Sequence, residues 1–397
     1  MKVEHDTFYD VCDLSHLLEA YRKSAPGSDW KWAVQKCEAN LLLELQKVAN
    51  DLRSGEYKQK PLHEFVLNER GKTRDIKAYS IIDRVVQRWF CDNFLKPCLT
   101  KYCIYDNGAS LKGKGESFTR QRLVTHLSKY YRENRSNDGW VLKIDFSKFF
   151  DNIDHDTLYN IILPKLDSEK AKELFVYLIE QFNVDVSYLT DEEYNNIDST
   201  VFNSLEYPPV PKSELVGKKV MRRSVGIGGQ PSQYCGLLYP VDIDTYCKCV
   251  KGIKYYGRYM DDIYIISNDK NYLKKLLSEI SDICKANHIF LNQKKTQIIK
   301  LSHGFTFMNV RYILTNTGHI VKIPNKKNFA RMRRKLKKLK KKVIDGEIPF
   351  SYVSEMYSSW RGNMKRYDCY KSLKRMDSLY HELYSNIEEE LNEIRCN

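Results

Sequence analysis

Two adjacent aspartates, Asp261 and Asp262, fall between two runs that read as β-strands, YYGRY and IYIIS. A tight turn between buried strands is content with Asn-Gly. Neighbouring carboxylates in such a turn repel each other, and burial raises the cost. A divalent cation removes that repulsion. Hard Mg²⁺ takes carboxylate oxygens and keeps coordination positions open for phosphates. A third acid, Asp145, closes another apolar run after Val141, Leu142, Lys143 and Ile144. Neighbouring strands would bring Asp145 and Asp261 to one sheet edge. Two metal ions about 3.5–4 Å apart would there clamp the attacking and leaving oxygens of a phosphoryl displacement. The carbonyl of Phe146 is a further hard ligand. A lone Asp pair is more often a helix cap or a surface charge. Acids ending separate apolar strands of a basic chain favour the metal.

The 397 residues allow two or three packed subdomains. A formal net charge of +14 points to a polyanionic partner, and nucleic acid is the usual one. The hydrophobic share of 42%, with 28 Tyr, argues against disorder. The 11 cysteines form no CxxC pair, and Cys247 and Cys249 are too close for a zinc knuckle. They read as free thiols in a reducing cytosol, which makes the expected location cytoplasmic. The N-terminus has acids and no apolar core, unlike a signal peptide. No apolar run reaches the length of a membrane span.

Local patterns divide the chain. Residues 1–59 read as helices, with Leu and Val at helical spacing over Ala33 to Arg53 and a stop at Gly55. Lys60 to Ala78 reads as a hairpin with a charged tip at Asn68 to Lys72. A helix is expected over Asp83 to Phe94, a strand over Trp140 to Asp145, and a helix from His155 capped by Asp154. Val184 to Arg223 looks like an insertion loop. Between Lys326 and Lys342 stand eleven Lys or Arg and no acid. Phe329, Met332, Leu336, Leu339 and Val343 recur there at spacings of three and four. That predicts a helix with one apolar stripe and a basic remainder, laid on phosphates by Arg334, Lys337, Lys338 and Lys341. Asp345-Gly346 breaks it. An acidic amphipathic helix is expected over Leu373 to Ile394.

At these residues the sequence resembles the reverse transcriptases. DFSKFF is similar to their first palm motif and YMDD to their turn motif. ERGKTRDIKAYSIIDRVVQRW and DNGASLKGKGES resemble fingers segments of the bacterial enzymes. GIGGQPSQ resembles the template–primer loop. LNQKKTQI and GFTFMNVRY resemble the last palm motif and the primer grip. The resemblance runs in order from Glu38 to Tyr370 and reaches a thumb motif at Ser359 to Gly362, near which Tyr367 and Tyr370 are expected to pack.

The resemblance implies an α+β right-handed polymerase with an antiparallel palm sheet backed by helices. Fingers would occupy 60–135, the palm with its primer grip 136–321, and the thumb with the C-terminal helix 322–397. It implies deoxynucleotidyl transfer on an RNA template. Asp145, Asp261 and Asp262 would be catalytic, holding two Mg²⁺ ions for which Mn²⁺ substitutes. Lys72, Arg74, Phe150, Gly228 and Lys295 would meet the incoming dNTP. Phe150 would exclude a 2′-hydroxyl, with Phe149 its core neighbour, and Lys295 would be a candidate general acid. Ile227, Gln230, Ser232, Gln233, Tyr259, Met308 and Asn309 would face template and primer. Gly228 and Gly229 would admit close backbone approach. Ile227 departs from the family, in which Gln commonly precedes the glycine; this bears on fidelity.

The sequence offers no room for an RNase H, endonuclease or integrase domain. That composition resembles the defence-associated bacterial enzymes, with a structured noncoding RNA as template. The alternatives are a diversity-generating retroelement enzyme, an RNA-binding maturase-like protein and an RNA-dependent RNA polymerase. The N-terminal and C-terminal helices are surfaces for a protein partner or a second copy, with ordinary packing the other reading. No membrane partner is expected.

Overall fold

A computed structural model describes residues 6–69, 72–187, 189–196 and 219–387. Four helices open it: α1 (Phe8–Val11), α2 (Leu14–Ser24), α3 (Trp32–Ala39) and α4 (Leu41–Ser54). Asp13 caps α2 by accepting from the His16 amide, and Gly55 ends α4 at φ +77°. The hairpin follows as β1 (His63–Glu69) and β2 (Lys72–Ala78), in a register that pairs Glu69 with Lys72. The side chains of Lys72 and Arg74 lie outside the described residues.

Helix α5 (Ile81–Phe90) starts two residues before the expected Asp83, because Ser80 accepts from the Asp83 amide and caps it. Ile81, Ile82, Val85, Val86, Trp89 and Phe90 are buried. The expected helix to Phe94 continues as a π-helical turn over Cys91–Leu95 into α6 (Lys96–Leu99). Next come α7 (Glu116–Asn134), β3 (Trp140–Ile144), α8 (His155–Ile162), which Asp154 caps as expected, and α9 (Glu169–Glu180). The expected insertion loop has structured ends. Strand β4 (Val184–Asp185) pairs with β5 (Val220–Met221), and α10 (Asp191–Asn195) follows β4; 197–218 lie outside the described residues.

After α11 (Gln230–Leu238) and α12 (Val241–Thr245), strands β6 (Tyr256–Tyr259) and β7 (Asp262–Ser267) form an antiparallel hairpin. Helix α13 (Lys270–Ala286) and β8 (Gln297–Lys300) complete a four-stranded sheet of order β6-β7-β3-β8. Strands β9 (Phe305–Phe307), β10 (Val310–Leu314) and β11 (Ile320–Pro324) make an antiparallel sheet of order β11-β10-β9. The chain then runs through α14 (Lys326–Ile344), α15 (Phe350–Met364) and α16 (Tyr370–Tyr384). Residues 388–397, and with them the end of the expected acidic helix, lie outside the described residues.

The chain forms two compact units. The first is Met1–Thr119, Lys143–Ile265 and Lys274–Gln297. Its core includes α5, the apolar residues of β7 (Ile263, Tyr264, Ile265) and the aromatic set Phe8, Trp89 and Phe94. The second is Arg120–Leu142, Ile266–Leu273 and Ile298–Asn397. There Met332, Leu336, Leu339 and Val343 of α14 pack with Val353, Tyr357, Met376 and Tyr384. This is the apolar stripe read from the sequence. Tyr367 packs against Met364, Cys369 and Leu373 as expected, but Tyr370 does not. It is 76% exposed at the first turn of α16, on the solvent side of the helix. No disulfide joins the cysteines of the described residues, and among those residues no helix is long and apolar enough to cross a membrane.

Candidate functional site

The first unit holds all three carboxylates. Asp145 follows β3 and is buried, 8% exposed. Its backbone is locked to the LNQKKT segment, since its carbonyl accepts from the Asn292 amide at 2.8 Å. The Ser147 amide donates to Phe290 O at 2.7 Å, and Phe146 bridges Leu291 between these two bonds. In such an antiparallel pair the central residue's carbonyl stands outside the ladder bonds. That placement leaves Phe146 O directed away from the pairing.

Register places Tyr259 opposite Asp262, so Met260 and Asp261 form a two-residue turn between β6 and β7. Met260 has φ +52°, a conformation glycine takes at lower cost. Arg258 supports it. This fully buried guanidinium donates through Nη1 to Met260 O at 3.0 Å and through Nη2 to Leu237 O at 2.8 Å. Its Nε and Nη2 also engage both carboxylate oxygens of the equally buried Asp244 at 2.6–3.0 Å. Tyr256 donates its hydroxyl to the same carboxylate. A buried charge needs such pairing, and this pair ties the acidic turn to α11 and α12. The signal in the sequence was one arginine inside an otherwise uncharged strand, next to two acids.

Burial pushes the Asp261 carboxyl up to about 6, and the like charges of Asp262 and Asp145 push it in the same direction. Lys295 opposes them. Its ammonium lies 2.9 Å from each Asp145 oxygen. Burial works against the Lys295 charge, but the Asp145 bond and the three acids hold its pKa above the usual lysine value. Lys143 is depressed by burial, against the pull of Asp262 and Asp145. The donor set therefore fits a hard divalent cation: oxygen ligands and excess negative charge in a partly desolvated place. Among the described residues no three His, Cys, Asp or Glu side chains are already closed into a metal cage, and Lys295 is paired with Asp145.

The glycine-rich loop lies in the same unit. Gly226 (φ +64°) and Gly228 (φ +132°) take conformations foreign to side chains. Ser232 is buried and donates to Val225 O, the Gln230 amide donates to Gln87 Oε1 at 3.3 Å, and Ser110 donates to Gln233 Oε1 at 3.4 Å. Ser232, Gln233 and the buried Gln87 thus anchor the loop and the start of α11 that follows it. Ile227 is 38% exposed. Phe149 is buried and Phe150 half-buried, and the Phe150 ring rests against Gly236 so closely that a Cβ there would stand 2.9 Å away. The Val225 amide donates to Phe150 O at 3.2 Å, linking ring and loop.

The second unit holds Met308 and Asn309. They join β9 to β10 with φ +46° and +64°, the two positive values of a type I′ hairpin turn. Arg334, Lys337, Lys338 and Lys341 are exposed on α14, opposite its buried stripe.

Residues 224–312 match the family described as Reverse transcriptase (RNA-dependent DNA polymerase). Protein YkfC of Escherichia coli (strain K12) is 23% identical over 329 residues, 78% of this chain and 83% of YkfC. Among solved structures, apo telomerase from Candida tropicalis has a TM-score of 0.45 at 14% identity, covering 67% of this chain and 49% of that one. Telomerase from Candida albicans, in complex with a TWJ fragment of telomeric RNA, has 0.44 at 14% identity, covering 86% and 64%. The chain spans about half to two thirds of the length of these telomerase chains.

Proposed function

We propose that this chain, which carries a reverse transcriptase domain, uses it to extend a primer with deoxynucleotides on an RNA template. The observation that carries the reading is the place of Asp261 in the β6–β7 turn, half-buried and raised by that burial and by the like charges of Asp262 and Asp145, with Lys295 bonded to Asp145. Asp145, Asp261, Asp262 and the Phe146 carbonyl would hold Mg²⁺, with Mn²⁺ as substitute. When bound, such ions lower the barrier to displacement by neutralising charge on the attacking and leaving oxygens. The chain's own residues do the rest. Lys295 holds a proton beside Asp145, where it is available to departing pyrophosphate. Phe150 stands against the sugar, and Lys72 and Arg74 hold the triphosphate. Ile227, Gln230, Ser232, Gln233 and Tyr259 face the template base pair. Met308 and Asn309 hold the primer end, and the α14 cations follow the backbone. These roles follow the division into fingers at 60–135, palm at 136–321 and thumb at 322–397.

Extension of a primed RNA by the purified chain tests this. Asp145→Ala, Asp261→Ala and Asp262→Ala should each abolish it while the protein stays folded. Ordinary activity in Asp261→Ala would sink the assignment. The biological reading kept with it is a dedicated structured noncoding RNA as template and a cDNA that serves antiphage defence. It rests on the resemblance to the defence-associated enzymes alone. Sequencing of the copurifying RNA checks it, and a random cellular sample would count against it.

A further inference from the structure

The Met308–Asn309 turn places a methionine where an L side chain is disfavoured, at φ +46°. Asn309 tolerates its own φ of +64° through its short polar side chain. Met308 has no such help, and its side chain is buried. Its carbonyl, however, accepts from Arg120 Nη2 at 2.9 Å. Arg120 sits in the first turn and a half of helix α7, and its Nη1 donates to the Tyr367 hydroxyl at 3.4 Å. The next carbonyl, of Asn309, accepts from the Asn325 amide at 3.2 Å, at the cap of α14. The first unit repeats the device independently: Met260, at φ +52°, is held at its carbonyl by Arg258. In both turns a left-handed methionine has its carbonyl gripped by an arginine from outside the turn.

We propose that Arg120 is a positioning residue for the Met308–Asn309 turn, acting through the Met308 carbonyl to hold the turn in the shape that presents it to a primer end. The proposal rests on the polymerase reading for that last role, but the clamp itself does not. Arg120 contributes through the turn's conformation and makes no direct contact with the nucleic acid. Its removal therefore matters most where the turn is strained. Glycine at 308 takes a positive φ without penalty and relaxes the need for the clamp.

The test is a double-mutant cycle on the full chain with Arg120→Met, Met308→Gly and the pair, read in steady-state primer extension. Arg120→Met is expected to raise KM for primer–template roughly tenfold with kcat changed far less. In the Met308→Gly background the same change should move KM less than about threefold. Arg120→Lys, which keeps the charge but loses the planar fork, should behave like Arg120→Met. Equal effects in both backgrounds, or wild-type behaviour of Arg120→Lys, would mean that Arg120 acts as a charge on the nucleic acid and would overturn the proposal. Amide hydrogen exchange separates the clamp from the polymerase reading. Arg120→Met should speed exchange over residues 308–311 about tenfold, while α14 exchanges as in the wild type. Unchanged exchange at 308–311 overturns the clamp, whereas a wild type that extends no primer overturns only the polymerase reading.

Discussion

The ammonium of Lys295 lies 2.9 Å from both carboxylate oxygens of Asp145. The lysine side chain is 57% exposed, so the pair is screened and a divalent cation can displace it. Lysine and cation compete for one carboxylate. Lys295→Gln should therefore bind Mn²⁺ several-fold more tightly in the absence of nucleic acid, read by titration of the metal signal. The same variant should lose roughly 10²-fold in kcat if Lys295 delivers the proton, with primer–template affinity unchanged. Weaker Mn²⁺ binding would show that the lysine does not compete.

Asp261 gives a pH prediction. Its folded pKa of about 6 lies above the ordinary 3.8, because burial and then Asp262 and Asp145 disfavour the charged form. The folded state keeps a proton that the unfolded chain has released, so stability from this group falls as pH rises between those values. Above the window the penalty is on the order of 3 kcal/mol. Asp261→Asn should raise metal-free stability at pH near 7.5 and leave it unchanged at pH near 3.5. Urea denaturation in chelator at both pH values checks this, and an equal gain at both would reject the electrostatic cause.

Phe150 and Gly236 form a pair that sugar choice should report. Phe150→Ala should raise ribonucleotide use relative to deoxynucleotide use by roughly tenfold, about 1.4 kcal/mol of discrimination. Gly236→Ala adds a methyl that would meet the ring at 2.9 Å, so it should shift the same ratio by displacing the Phe150 ring without replacing it. Ratios unchanged in both variants would leave Phe150 a packing residue.

Ile227 stands 38% exposed in the glycine-rich loop and offers no polar side-chain contact. The wild type is expected to misincorporate substantially, and Ile227→Gln several-fold less. Sequencing of products from a defined RNA template decides it, and an accurate wild type refutes it.

The two faces of α14 should separate cleanly. Leu336 is fully buried, so Leu336→Ala should cost roughly 2–5 kcal/mol of stability in urea denaturation. Neutralising Arg334, Lys337, Lys338 and Lys341 should spare stability. It should flatten the salt dependence of hybrid binding by about 0.9 log units per lost phosphate contact, a B-DNA figure. Lys342 is left out because it pairs with Glu347. An unchanged slope would place the hybrid elsewhere.

What the sequence determined by itself was local. Leu336 and its neighbours recur with the helical period, and Asp154 precedes a helix it can cap. Each of these is decided within a few residues, by side-chain spacing and backbone sterics. The three acids were legible for the same reason, since like charges ending apolar strands conflict with packing unless a cation is supplied. Tertiary structure alone decided the partners. Arg120 reaches Met308 across 188 positions, Gln87 reaches Gln230 across 143, and Lys295 reaches Asp145 across 150. Arg258 could be flagged as a charge in a strand, but its pairing with Asp244 could not be read. A buried polar group must be satisfied, yet any of many distant partners would serve. Which one does is settled by how helices and strands pack, and no periodicity in the chain records that choice.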